Sequence, residues 1–294
     1  MFDPPRCLTP TLLSRLPDAQ RRPQRSAWAD ANRGGAPIDS FLEGPCFDDA
    51  GTLFCTDIPH GRIFRVAGDA WAEIAVYEGW PNGLAARGDE LLVADYRHGL
   101  LTLDPRGGGM APVLETVLSE GFRGLNDLVL HPDGSVLFTD QGQTGLQDPT
   151  GGVYRLHADG RLDRLIANGP SPNGIALNRA ATHVYVAMTR SCEVWRFALR
   201  PDALVAKANL FFRTPAGTAG PDGMAVDPFD RLCVANPGHG QVWVVDPHGV
   251  ATHRIDCTGF GRMPTNCTLA PDGRTLVITE SESGSLLAVE LPAA

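Results

Sequence analysis

The chain has 294 residues, 43% hydrophobic and 20% charged, which excludes a disordered chain and permits one large domain or two small ones. Glycine (33) and proline (24) are abundant, so much of the chain is turn, as in short strands joined by loops and unlike a helical bundle. A net charge of −9 argues against a nucleic-acid partner, and no apolar run reaches the ~18 residues that would cross a membrane.

Residues 1–40 carry six arginines and no apolar stretch longer than three, so no secretory signal is expected and the protein reads as cytoplasmic. Residues 1–24 are expected to form a flexible extension, and residues 25–294 a single domain. From Glu43 onward one pattern repeats six times. Its anchors are Glu43, Asn82, Asn126, Asn173, Asp222 and Asn266, spaced 39, 44, 47, 49 and 44 residues apart.

After each anchor comes a short apolar strand such as Gly174–Leu177, then a turn such as Pro132-Asp133-Gly134. A second apolar strand (Val184–Ala187), a polar loop and a third strand (Val194–Phe197) follow. A fourth, more amphipathic strand leads to the next anchor, as in Trp71–Tyr77, Leu162–Ala167 and Ala251–Cys257. A repeat of this length made of strands predicts an all-β, six-bladed β-propeller. The sixth repeat lacks a fourth strand after Leu291, so an N-terminal strand is expected to close the ring, with residues 25–41 as candidates.

In a propeller the innermost strands line the central channel, so the six anchors should converge at one mouth. Every anchor carries a side-chain oxygen and none is His or Cys. That donor set suits a hard divalent cation, Ca²⁺ first and Mg²⁺ or Mn²⁺ behind, with Glu43 and Asp222 balancing its charge. A second set, Asp57, Asp95, Asp140, Met188, Asn236 and Glu280, ends the second strands at larger radius. These residues could equally contact a substrate or hydrogen-bond loop amides. Asp127 could be a supporting or a catalytic carboxylate. Arg123, Trp80 and Tyr96-Arg97-His98 could line the pocket.

Other chemistries have no signature. The seven scattered cysteines contain no CxxC, and several sit inside apolar runs as buried free thiols do; Lys207, the sole lysine, offers little for Schiff-base chemistry. There is no GxSxG, HExxH, P-loop or GxGxxG after a strand.

The phased elements Glu43-Gly44-Pro45, Asn126-Asp127, Pro172-Asn173-Gly174 and Pro221-Asp222-Gly223 resemble the senescence marker protein/gluconolactonase (regucalcin-like) lactonase family, across roughly residues 40–291. The resemblance implies a six-bladed propeller with one divalent ion at the channel mouth, often Ca²⁺, with Zn²⁺, Mn²⁺, Mg²⁺ or Fe²⁺ as alternatives. It implies a small-molecule lactone as substrate. Glu43, Asn173 and Asp222 match the family's metal ligands, Asn126 matches a ligand or substrate-facing position, and Asp222 matches the general base. Asn126, Asp127, Arg123, Asp140 and Trp80 are the expected substrate contacts. Sugar-lactonase relatives often place an arginine where this chain has Gly124, with Arg123 one residue earlier. Alternatives are a phosphotriesterase-like hydrolase, as in the related squid-type enzymes, and a non-catalytic propeller binding calcium or a partner. The sequence is silent on oligomeric state.

Overall fold

The computed structural model describes residues 4–21, 23–200, 205–217 and 219–293. Among the described residues six sheets, antiparallel but for one added strand, surround a central channel, five with four strands and one widened to five, and Thr116–Val117 and Glu120–Gly121 form a separate two-stranded ribbon. Their innermost strands are Leu42–Phe47, Pro81–Arg87, Leu125–Leu130, Pro172–Leu177, Met224–Val226 and Pro264–Leu269. Each packs beside the next, and the last packs on the first, so the ring is closed.

The second strands explain why the sequence folds this way. Leu53–Asp57, Val136–Asp140 and Leu232–Asn236 are buried along their whole length, as strands sandwiched between neighbouring sheets must be. The core is accordingly divided between blades. Cys46, Phe54 and Ile63 of the first blade, for example, pack against Leu84, Leu91 and Val93 of the second. All seven cysteines are free and five are buried, as their apolar surroundings predicted. Outer strands mix exposed and buried positions; Ala70–Val76 buries Trp71 while its neighbours face outward.

The closing strand is N-terminal, but it is not drawn from residues 25–41. Thr11–Arg15 pairs antiparallel with Ser285–Glu290 and completes the sixth blade. Burial accounts for the choice. Leu16 is 1% exposed and joins Leu42, Phe64, Val277 and Leu286 between the sixth and first blades. Ser14 Oγ donates to Gly68 O (2.7 Å) and accepts from Trp71 Nε1 (2.9 Å). Arg6–Leu8 adds a parallel fifth strand to Ala251–Asp256 of the fifth blade. Residues 6–8 and 11–15, expected in a flexible extension, thus belong to the sheets.

Residues 25–41 instead cross one face of the ring. Ala27–Asn32 forms a short helix capped by Ser26, whose Oγ accepts from Ala29 N at 3.1 Å. Among the described residues no helix is long and apolar enough to cross a membrane.

Candidate functional site

Five anchors lie in the first residues of the innermost strands and Asp222 lies two residues ahead of Met224–Val226, where the strand pairing is irregular. The register shifts between Pro81 and Leu84, between Leu125 and Leu128, and between Pro172 and Ile175. Such a bulge re-aims the side chain at the break, here Asn82, Asn126 or Asn173. The glycines after the anchors serve packing as well: a Cβ on Gly44 would overlap Asn82 O, and one on Gly174 would overlap Asp222 O. A glycine directly after an anchor, as at Gly44 and Gly174, marks close approach of innermost strands at the axis. Threonine hydroxyls fasten one blade to the next at the same level: Thr56 Oγ1 donates to Asn82 O (2.8 Å) and Thr139 Oγ1 to Asn173 O (2.6 Å).

The set at larger radius holds the loops that present the anchors. Asp57 Oδ1 accepts from Phe41 N (2.6 Å), Asp140 Oδ1 from Gly124 N (2.8 Å) and Glu280 Oε1 from Met263 N (2.9 Å). Asn236 Nδ2 donates to Gly220 O (3.2 Å). Each bond lands two or three residues ahead of its own blade's anchor. Asp95 secures Arg97 N, His98 N and the Tyr77 hydroxyl instead. None of these side chains lines the cavity at the channel mouth.

That cavity has a volume of about 570 Å³, and five anchors line it: Glu43, Asn82, Asn126, Asn173 and Asp222. The sixth, Asn266, donates Nδ2 to Glu43 Oε2 (2.8 Å) and lines a second cavity of about 430 Å³ along the channel. The four predicted metal-ligating residues are therefore brought together, and Trp80 lines the same space. Three expected substrate contacts are not brought there. Asp127 faces the second cavity, its carboxylate accepting from Leu128 N and Ile175 N. Asp140 is buried beneath the Gly124 loop. Arg123 points outward, its guanidinium 3.8 Å from Asp148.

Sequence reasoning also missed lining residues. Trp28 and Phe41, 4.8 Å apart between ring centroids, come from the N-terminal segment, which belongs to no repeat. Gln141, Gln143 and Arg190 lie on the segments that follow the second strands, after Asp140 and Met188, and were not singled out one by one. A tryptophan in an otherwise polar N-terminal stretch was the available hint for Trp28.

The donor set fits a hard cation. Asn126 Nδ2 is tied to Gln141 Oε1 (2.8 Å), and the Asn173 side chain hydrogen-bonds Asp222. With their nitrogens engaged, both amides have their oxygens left to offer. Both protein donors to Glu43, Gly44 N and Asn266 Nδ2, land on Oε2, leaving Oε1 for another partner. Burial, then repulsion from Asp222 and Asp127, pushes Glu43 well above the ordinary carboxylate range. Burial likewise pushes Asp222 up to about 7, against the Asn173 hydrogen bond. Two carboxylates held together at this cost call for positive charge between them, and among the described residues Arg190 is the one basic residue lining the cavity. Among the described residues no three or more His, Cys, Asp or Glu cluster to hold an ion, so two carboxylates with amide oxygens are the available donors.

The family model described as the SMP-30/gluconolactonase/LRE-like region matches residues 41–282. A gluconolactonase of Zymomonas mobilis is 31% identical over 225 residues, covering 69% of this chain but only 61% of that protein's length. The diisopropyl-fluorophosphatase of Loligo vulgaris is 27% identical, with 83% of this chain and 87% of that one covered. Among solved structures, a gluconolactonase from Xanthomonas campestris superposes with a TM-score of 0.76 at 24% identity, covering 96% of this chain and 97% of the other. This last likeness bears on the fold alone.

Proposed function

The chain belongs to the SMP-30/gluconolactonase/LRE-like family, and from that premise we propose that it is a metal-dependent lactonase, opening the ring of a small cyclic ester with Asp222 as general base. The observation that carries this is the convergence of Glu43, Asn126, Asn173 and Asp222 on the floor of one open cavity. A divalent cation held by those four residues, Ca²⁺ by the hardness of the donors, would supply Lewis-acid polarisation of the lactone carbonyl.

The protein's own groups account for the rest. Asp222 would take a proton from water as that water attacks the carbonyl carbon. The ring C–O bond then breaks, the proton passes to the departing ring oxygen, and the product is a hydroxy acid. Asn82 and Asn126 lie beside the reacting centre and can orient the ester. The Arg190 guanidinium faces the same space and can hold the new carboxylate. The Loligo vulgaris relative favours a second reading, in which the same cavity takes an organophosphate.

The test is hydrolysis of aldonolactones, simple γ- and δ-lactones and dihydrocoumarin, followed with a pH indicator. It is run on chelator-stripped protein and after restoring Ca²⁺, Mn²⁺ or Zn²⁺, with diisopropyl fluorophosphate in parallel. Turnover that vanishes on stripping, returns with one cation and falls about 10²–10⁴-fold in Asp222→Asn is the expected result. Full activity in stripped protein, or in Asp222→Asn, would refute the assignment.

A further inference from the structure

Resting on the lactonase reading, we propose that the cavity selects cyclic esters with a flat, apolar body, an aromatic ring fused to or carried by the lactone, over polyhydroxylated sugar lactones. The wall contributed by the first two blades and the segment before them is aromatic. Trp80 and Tyr96 lie 5.2 Å apart between centroids at 40°, and Trp28 and Phe41 form the second pair. All four line the cavity. Arg97 sits 4.5 Å from the Trp80 ring and steadies it.

Tyr96 is fixed from three directions. Its N–H donates to Trp80 O (3.1 Å) and its hydroxyl accepts from Gln143 Nε2 (3.1 Å). Beneath it lies Gly124 at φ +150°, where a Cβ would overlap the Tyr96 ring. A glycine here is what lets the aromatic ring occupy this wall.

The opposite wall, from the third and fourth blades, is polar in composition, and its inner part is turned inward on itself, with Gln147 and Arg190 at its edge. Gln141 uses both ends of its amide, accepting from Asn126 Nδ2 and donating to Ser171 Oγ (3.0 Å). Thr144 Oγ1 donates to Gln141 O and accepts from Ser171 N. Thr189 Oγ1 is spent on Pro221 O. Against Gln141, Thr144, Ser171 and Thr189 a sugar lactone must give up hydroxyl hydration for groups that already have partners. An aromatic body meets ring faces that lose only loosely held water.

The experiment compares kcat/KM for dihydrocoumarin and D-glucono-δ-lactone in the cation-loaded protein. The expected ratio favours dihydrocoumarin by at least about tenfold. In Trp80→Ala that ratio is expected to fall about tenfold; Tyr96→Ala serves as the second variant if the first unfolds. A preference for the sugar lactone, or an unchanged ratio in a folded variant, overturns the proposal while leaving the lactonase reading intact. If no lactone is turned over, the lactonase reading fails, and selection is read by calorimetric titration with coumarin and D-gluconate. Coumarin binding at least about tenfold tighter than gluconate, and weakened in Trp80→Ala, supports the aromatic wall as the selector. Absence of coumarin binding overturns it.

Discussion

Replacing Asp140 by alanine separates a substrate contact from a loop fastening, two roles that the sequence left equal. Asp140 is 3% exposed, and its carboxylate accepts from Gly124 N at 2.8 Å and from the Arg123 backbone. Removing it orphans the buried Gly124 N–H, which costs about 1–3 kcal/mol, while the N–H of the exposed Arg123 can turn to water for roughly 1 kcal/mol or less. Asp140→Ala should therefore lose about 1–4 kcal/mol of stability. Asp140→Asn keeps one acceptor oxygen and also removes a carboxylate whose pKa burial raises, so it should lose only about 1 kcal/mol. Urea unfolding measures both, as a lowered midpoint at unchanged slope. Amide exchange should show the Gly124 N–H losing protection in the alanine variant. At a temperature where the protein stays folded, kcat/KM should fall by less than about fivefold, against the ~10²-fold or more expected for a lost transition-state contact. Unchanged stability with a hundredfold loss of activity would refute the fastening role and restore Asp140 as a substrate contact.

Leu16→Ala, at the buried position beside the closing strand, should cost about 2–5 kcal/mol, whereas Leu12→Ala, 52% exposed, should stay within about 0.5 kcal/mol. Equal effects in urea unfolding would mean that the N-terminal strand does not close the ring in solution. A bound cation should stabilise the wild type by about 2.7 kcal/mol at a hundredfold excess over its Kd, and Glu43→Gln should abolish most of that gain. A calcium-dependent Tm rise that persists in Glu43→Gln would remove Glu43 from the ligand set. Burial raises Glu43, Asp127 and Asp222, the last two to about 7, so the folded, metal-free protein holds protons that the unfolded chain has released. That contribution to stability is complete below ordinary carboxylate pKa values and is lost as pH rises through about 7, on the order of 4 kcal/mol for Asp127 alone. Stripped protein should melt lower at pH 8 than at pH 5, and a cation should reduce the difference. A higher Tm at pH 8 without metal would contradict the arrangement.

The repeat was legible because blade membership is written locally. An apolar run, a Pro-Asp-Gly turn and a second apolar run specify adjacent strands without reference to anything distant. The phase of Glu43, Asn126, Asn173 and Asp222 within those repeats was enough to bring them to one mouth, since equal phase in a closed ring means equal height. Asp127 shows where that logic stops. It adjoins Asn126 in sequence, yet the strand's pairing breaks between Leu125 and Leu128, and the two side chains serve different cavities.

By itself the sequence determined the six blades, the oxygen-rich anchor set and the free cysteines, because each depends on residue chemistry repeated at short range. Only the tertiary structure decided the rest. Thr11–Arg15 finds Ser285–Glu290 across almost the whole chain, and burial of Leu16 selects that segment over residues 25–41. Asp140 turns to the Gly124 loop because an amide stands within reach of its carboxylate. Trp28, Phe41 and Tyr96 meet around the cavity although two of them lie outside every repeat, since loops from different parts of the chain converge where the ring closes and no local pattern records which will touch.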